Sequence, residues 1–310
     1  MARAAIRAHH RPMPLNTARV TAEPSSERGA SPATGYPYLD AVLDQPGTVI
    51  AMAHRGGALH PEIPGSENTL HAFRHAVALG YRYLETDVHA TSDGVLLAFH
   101  DAVLDRVTDS EGRLSELTAA EISSVRIGGE HAVPTMAELL EEFPGCRFNI
   151  DLKSTTAIRP LVELLARARA HDRVCVGSFS WRRIHAFRGA TAGRVATAAA
   201  PAEVAAFIAP APGRLLRATA GRRLQVLQVP WRHRRRRVTV VTPSFVRRAH
   251  AAGVHVHVWT GEENSQWVSI DDAASMNTLL DMGVDGLITD RTDVLKDVLL
   301  GRGQWMGATP

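Results

Sequence analysis

The residues of this chain best suited to acid–base and phosphate chemistry come in short clusters. They are His54 with Arg55, Glu67 with Asn68, Glu85 with Asp87, His100 with Asp101, and Asp151 with Lys153. Histidine exchanges protons near neutral pH, so His54 and His100 are the candidate acid and base. Glu85 and Asp87 are two apart in an apolar run and therefore project from one face of a strand; Asp151 and Lys153 repeat that spacing. Three inward carboxylates repel one another unless a cation or a proton neutralises them. Oxygen donors alone suit a hard divalent ion, Mg²⁺ or Ca²⁺, better than zinc. Arg55 and Lys153 supply donors for an anionic group, the first as a two-pronged fork and the second as a point charge. Lys153 stands out because, of 35 basic residues, only Lys153 and Lys296 are lysine.

Each cluster alone has an ordinary reading: a solvent-facing strand, a surface histidine, a salt bridge. Their joint placement argues otherwise, because they fall where apolar runs end. From residue 46 onward, strand-like runs at 48–53, 83–89, 95–100, 147–153, 173–179, 194–199, 224–230, 254–260 and 285–290 alternate with helical patterns. The helical stretches are 68–79, 135–143, 157–170, 181–188, 201–208, 243–252, 276–282 and 292–301. The link "ATSDG" is too short for a parallel crossover, so 95–100 is expected to fold back on the second strand as a hairpin turned at Asp93–Gly94. Setting that strand aside leaves eight βα units, which predicts an α/β TIM (β/α)₈ barrel over 46–302. Residues 102–134 read as a small insertion after the second strand. No Gly-rich dinucleotide fingerprint follows the first strand, which argues against a doubly wound sheet. In a barrel, strand ends carry the active site, and Trp259 and the pair Thr289–Asp290 join the clusters there.

The whole chain sets broader limits. Its 310 residues and 45% hydrophobic content support a large core, and its formal charge is +3. Cys146 and Cys175 lie in apolar runs and read as buried thiols, with no disulfide framework. Residues 1–35, rich in Ala, Arg, Pro, Ser and Thr, read as a flexible and dispensable leader without a secretory apolar core. No run of about 18 apolar residues marks a membrane span, so a cytoplasmic, soluble protein is expected.

The order of motifs carries a resemblance. "AHRGG", "ENTLHAF", "ETDVHATSDGVLLAFHD", "IDLK", "VHVWT" and "GVDGLITDR" follow one another as in glycerophosphodiester phosphodiesterases, over residues 49 to about 300. Even "LDRVTDSEGRLSELTAAEI" is similar to the insertion those enzymes carry. The resemblance implies hydrolysis of a glycerophosphodiester to sn-glycerol 3-phosphate and an alcohol. It further implies a divalent metal on Glu85, Asp87 and Asp151, with His54 and His100 as acid and base. Arg55, Lys153, Glu67, Asn68 and Trp259 would serve the substrate, with Asn68 also a credible cap for the helix that follows. The family often has Glu where Asp151 stands, a carboxylate shorter by one C–C bond. Which histidine is the acid, which alcohol is preferred and the oligomeric state stay open. So do two rivals: a lysophospholipase D-like activity, which needs a wide apolar mouth, and a barrel that binds phosphodiesters without cleaving them. The basic run "WRHRRRRV" (231–238) could neutralise nucleic-acid phosphates, but it lacks interleaved aromatics and reads better as a solvated loop.

Overall fold

The structure, a computed structural model, describes residues 30–209, 224–235, 238–261 and 265–307. Its strands are β1 (Ile50–Ala53), β2 (Tyr83–Ala90), β3 (Leu96–Ala98), β4 (Arg126–Ile127), β5 (His131–Ala132) and β6 (Arg147–Leu152). They continue with β7 (Val174–Gly177), β8 (Ala196–Thr197), β9 (Val226–Pro230), β10 (His255–Trp259) and β11 (Gly286–Thr289). Eight of them pair in parallel in the order β8-β7-β6-β2-β1-β11-β10-β9. A parallel bridge from Ala198 to Val226, with Ala199 N–H donating to Val226 O at 3.0 Å, joins the ends into a nearly closed barrel. This is the TIM barrel that the βα rhythm predicts. As expected, β3 stays outside the eight, antiparallel to β2 with Val88 opposite Ala98 and Ala90 opposite Leu96.

Helices follow the strands with chemically explicit starts. Thr69, Ser180, Thr242 and Asp272 each accept a backbone N–H from the first turn of the helix they open. Thr135 and Glu138 form a reciprocal capping box, as do Thr118 and Glu121 in the insertion. The helices pack on the barrel through the outward residues of the strands: Ala51, Leu84, Val88, Phe148, Ile150, Val256, Val258 and Leu287 lie in one large core with Phe73, Leu161 and Leu295. Strand alternation turns the intervening residues inward. Ile50, Met52, Tyr83, Cys175, Val226 and Ile288 fill the lower barrel, with Tyr38, Leu39 and Val42 packed among them. Those last three come from the short helix Pro37–Asp40 and the 3₁₀ turn after it, which plug the bottom and which sequence periodicity did not reveal.

The leader expected over 1–35 is corrected at its end. Residues 1–29 lie outside the described residues, but Ser31 Oγ donates to Asp285 Oδ1 at 2.6 Å and Pro32 O pairs with His255 Nε2 at 2.7 Å. Thr34 and Gly35 bind the Asp40 carboxylate. These bonds fasten 31–35 to the barrel floor, because buried Asp285 and His255 require partners there. The insertion folds where expected, around its own small core of Leu104, Leu114, Ile122, Val125 and Ile127 against Leu97 and Phe99. Among the described residues no helix is long and apolar enough to cross a membrane. Both cysteines are free and buried.

Candidate active site

The inward face of β2 changes character as it rises: Tyr83 is part of the apolar floor, and then come Glu85 and Asp87, both buried. β6 rises alongside in register, Glu85 opposite Asn149 and Asp87 opposite Asp151. Below them Asn149 and Gln228 exchange side-chain hydrogen bonds at 2.8 and 3.3 Å, a polar layer that caps the apolar floor. Lys153 Nζ stands 2.9 Å from Asp87 Oδ1 and 2.9 Å from Asp151 Oδ2. Burial acts against the Asp87 charge, but Lys153 and Arg55 hold its carboxyl well below the ordinary range. Glu85 moves the other way: burial, then the adjacent Asp87 charge, push it up to about 7. The protein's own cations therefore compensate one carboxylate of the pair more fully than the other. Three carboxylate donors suit a divalent cation by their chemistry, although their oxygens do not all lie within 4.8 Å of one another and Lys153 bridges two of them.

The loop after β1 wraps over this face. His54–Gly56 forms a 3₁₀ turn in which Arg55 takes φ +49°, a left-handed conformation costing about 1 kcal/mol for a side-chain-bearing residue. The surroundings fix it: Arg55 N–H donates to Glu85 Oε2 at 3.2 Å, and Arg55 O accepts Asn68 N–H at 2.9 Å. The following glycine is obligatory, since a Cβ on Gly56 would sit 2.7 Å from Ala72 Cβ at φ +87°. The Arg55 guanidinium reaches Glu67 at 3.3 Å and Asp87 at 3.4 Å.

Both histidines are held through Nδ1. His54 Nδ1 lies 2.7 Å from Asp290 Oδ1 and His100 Nδ1 lies 2.6 Å from Asp101 Oδ1. A carboxylate only accepts, so each ring carries its proton on Nδ1 and leaves Nε2 for other chemistry. Burial alone would depress His54, yet Asp290, aided by Glu85, carries it up to about 9. His100 is below its ordinary value because of burial, with Asp87 acting in the opposite sense. Asp101 is shared with Arg106 Nε at 2.6 Å, and Arg106 also clasps both oxygens of Glu67 at 2.7 and 2.9 Å.

His54, Arg55, Glu85, Asp87, His100, Asp151, Lys153 and Trp259 line a single cavity of about 490 Å³ at the barrel mouth. The structure thus brings together eight of the ten residues expected from the sequence. The polar cluster occupies one side. Phe179, Trp259, Trp267, Val204 and Ile208 make the other side apolar.

Comparison with known proteins places this arrangement. Residues 54–294 match the profile of the Glycerophosphoryl diester phosphodiesterase family. The chain belongs to that family. It is 40% identical over 261 residues to a Mycobacterium tuberculosis protein named probable glycerophosphodiester phosphodiesterase 2, covering 84% of this chain and 94% of that one. The crystal structure of glycerophosphodiester phosphodiesterase from Agrobacterium tumefaciens superimposes with a TM-score of 0.63 at 22% identity, over 80% of this chain and all of that one. A phosphodiesterase from Oleispira antarctica, solved with its product sn-glycerol-3-phosphate, gives 0.64 at 21%, over 80% of this chain and 96% of that one. These structures share the barrel fold, and this member of the phosphodiesterase family is accordingly an enzyme of the phosphodiester-hydrolysing class.

The remaining two expected residues do not line the cavity. Asn68 is not the helix cap: Thr69 is, and Asn68 sits at φ +57°, donating to Asp87 Oδ2 at 3.2 Å and accepting from Thr86 Oγ1 at 2.7 Å. Its short amide can adopt the left-handed region and still hydrogen-bond, which is why Asn stands at this turn. Glu67 lies behind Arg55, between it and Arg106. Sequence reasoning placed Asp290 at the strand ends without a partner and missed Arg106 and Asp271, although Asp271 accepts from Thr289 Oγ1 at 2.6 Å and from Asp290 N–H at 3.0 Å. Of the 231–238 run, Arg232 stacks over Trp231 at 3.6 Å and Arg234 Nε donates to Trp267 O; residues 236 and 237 lie outside the described residues.

Proposed function

We propose that the chain hydrolyses glycerophosphodiesters to sn-glycerol 3-phosphate and an alcohol, with His100 as general base and His54 as general acid. The observation that carries this reading is the pair of Nδ1-anchored histidines on one cavity with Arg55 and Lys153. The two rings differ in their carboxylate partners. Asp101 already answers the Arg106 guanidinium, so it lends His100 less support as an imidazolium. Asp290 faces His54 directly and favours its charged form.

In the proposed reaction His100 Nε2 takes the proton of the glycerol 2-hydroxyl, whose oxygen attacks phosphorus. The bond from phosphorus to the departing alcohol breaks, and His54 Nε2 protonates the alcohol oxygen. Water then opens the cyclic phosphate, the two histidines exchanging roles. Arg55 and Lys153 donate to the phosphoryl oxygens as charge develops. Glu67 and Asn68 position Arg55 and Asp87 from behind. Glu85, Asp87 and Asp151 would hold a divalent cation, Mg²⁺ or Ca²⁺, which when bound polarises the phosphoryl group as a Lewis acid. The shorter Asp151 bears on which cation is preferred.

A second reading of the substrate has its own support. The apolar side of the cavity, with Phe179 and Ile208 exposed, supports a lysophospholipase D-like activity, which needs a wide apolar mouth. Coupled detection of glycerol 3-phosphate from glycerophosphocholine, glycerophosphoethanolamine and bis-glycerol phosphate, beside choline release from lysophosphatidylcholine, tests both. Each assay is run with EDTA, Mg²⁺, Ca²⁺ and Mn²⁺. Release from the deacylated diesters supports the first reading, and turnover of the acylated lipid alone replaces it with the second. No cleavage of any diester overturns both.

A further inference from the structure

We propose that His60, Glu62 and His75 form a second metal site, of the zinc class, that ties the catalytic loop after β1 to the helix Leu70–Ala78. Among the described residues this is the one trio of His, Cys, Asp and Glu whose donor atoms all lie within 4.8 Å of one another. His75 Nε2 is 3.0 Å from Glu62 Oε2, and the His60 and His75 rings meet edge to face at 4.3 Å between centroids. Two imidazoles and one carboxylate are a donor set for Zn²⁺ and its neighbours rather than for Mg²⁺ or Ca²⁺. The chemistry therefore differs from that of the Glu85 cluster.

The three residues already meet through hydrogen bonds that a metal ion would replace. Glu62 N–H donates to His60 Nδ1 at 3.2 Å, so the neutral His60 ring carries its proton on Nε2, and that proton would leave as a metal takes the nitrogen. His75 Nδ1 is buried without a hydrogen-bond partner and Nε2 donates to Glu62, so zinc would take the place of the proton that now lies between them. Nearby Asp293 is occupied by Arg291 at 2.6 and 2.9 Å and leaves the trio to itself. Donors around a tetrahedral zinc stand about 3.4 Å apart, as follows from Zn–N bonds near 2.1 Å. The donors of the trio lie within 4.8 Å of one another, so it must draw in around the ion, and exposed Glu62 moves most freely. A fourth position would stay open to water.

The site also has a mechanical consequence. His60 lies between Arg55 and Glu67 in sequence, so metal on His60 and His75 pins the middle of the loop that begins with the proposed acid and its arginine. The test is a competitive chelator titration of the full chain with ZnCl₂ in excess MgCl₂, with thermal unfolding alongside. Wild type is expected to hold one zinc that raises the unfolding temperature by several degrees. Both effects should vanish in His75→Ala and in Glu62→Gln and persist in Glu85→Gln. Glu62→Gln alters an exposed side chain, so its folding is secure, and its activity with Mg²⁺ should match wild type. Zinc bound no more tightly than about 100 µM by wild type, or zinc retained by either His75→Ala or Glu62→Gln, overturns the proposal.

Discussion

His54 Nδ1 and Asp290 Oδ1 meet at 2.7 Å although 236 positions separate them in the chain. The barrel's closure makes the contact: β1 pairs with β11 with Ala53 opposite Thr289, so the residues that leave the two strands are neighbours. Asp290 is held in turn by Asp271, whose Oδ1 accepts its backbone N–H at 3.0 Å. The arrangement fixes the His54 tautomer and favours its charged form.

Asp290→Asn tests that relationship. An amide can present either a donor or an acceptor, so the tautomer is no longer imposed, and turnover should fall by about 10²-fold or more. The pH profile should change in a defined direction. A charged acid works below its pKa and fails as pH rises through it. Because Asp290 raises the His54 value, the variant's alkaline limb should move to lower pH. Near-full turnover with an unmoved limb would show that Asp290 does not act through His54.

The carboxylates and His100 should separate cleanly in calorimetry. Glu85→Gln and Asp87→Asn each remove a charged oxygen donor, so both are expected to weaken divalent-ion binding and turnover together. His100→Ala should bind the ion much as wild type does and still lose about 10²-fold in kcat. Normal ion affinity in both carboxylate variants would reassign Glu85 and Asp87 to a charge network around Arg55 and Lys153.

Ile208 offers a test of the apolar mouth at a residue remote from the acid–base pair. Ile208→Glu should raise the KM for a lysophospholipid by about tenfold, the scale of losing one apolar side chain's burial, about 1.5 kcal/mol. Hydrolysis of glycerophosphocholine should be unchanged. Equal effects on both substrates would mean that the acyl chain does not run along this wall.

The barrel was legible because its signals are local: β-branched runs, capped helices and a five-residue hairpin link each declare themselves within a dozen residues. The inward-facing cluster was legible for the same reason, since Glu85 with Asp87 and Asp151 with Lys153 obey strand alternation. Long-range partners were not. Asp290 was visible as a strand end, but its bond to His54 depends on barrel register, and Arg106 reaches Glu67 only after the insertion folds back over the loop. Asn68 was misread because Asn at a helix start is an ordinary cap. Its left-handed backbone shifts the cap to Thr69 and turns its amide toward Asp87. The tie of residues 31–35 to the floor was hidden because its partners, Asp285 and His255, look like plain strand residues.

That floor yields a stability test. Asp285 is buried and accepts from His250 Nε2 at 2.8 Å, Val256 N–H at 2.8 Å and Ser31 Oγ at 2.6 Å. Burial opposes its charge, but His250, with His255 and Ser31, holds the carboxyl well below the ordinary range. A depressed folded value means that the contribution to stability is present above the unfolded pKa, about 4, and is lost as pH falls toward the folded one. Asp285→Asn should therefore cost about 3 kcal/mol at pH 7, the scale for breaking a buried charged pair. The gap to wild type should narrow steadily below about pH 4. Deleting residues 1–35 should destabilise in the same sense by removing the Ser31 and Pro32 contacts, whereas a deletion ending at residue 29 keeps them. Denaturant unfolding across a pH series measures all three. A wild-type-to-Asn gap that stays constant with pH would show that Asp285 contributes through shape and hydrogen bonding, without its charge.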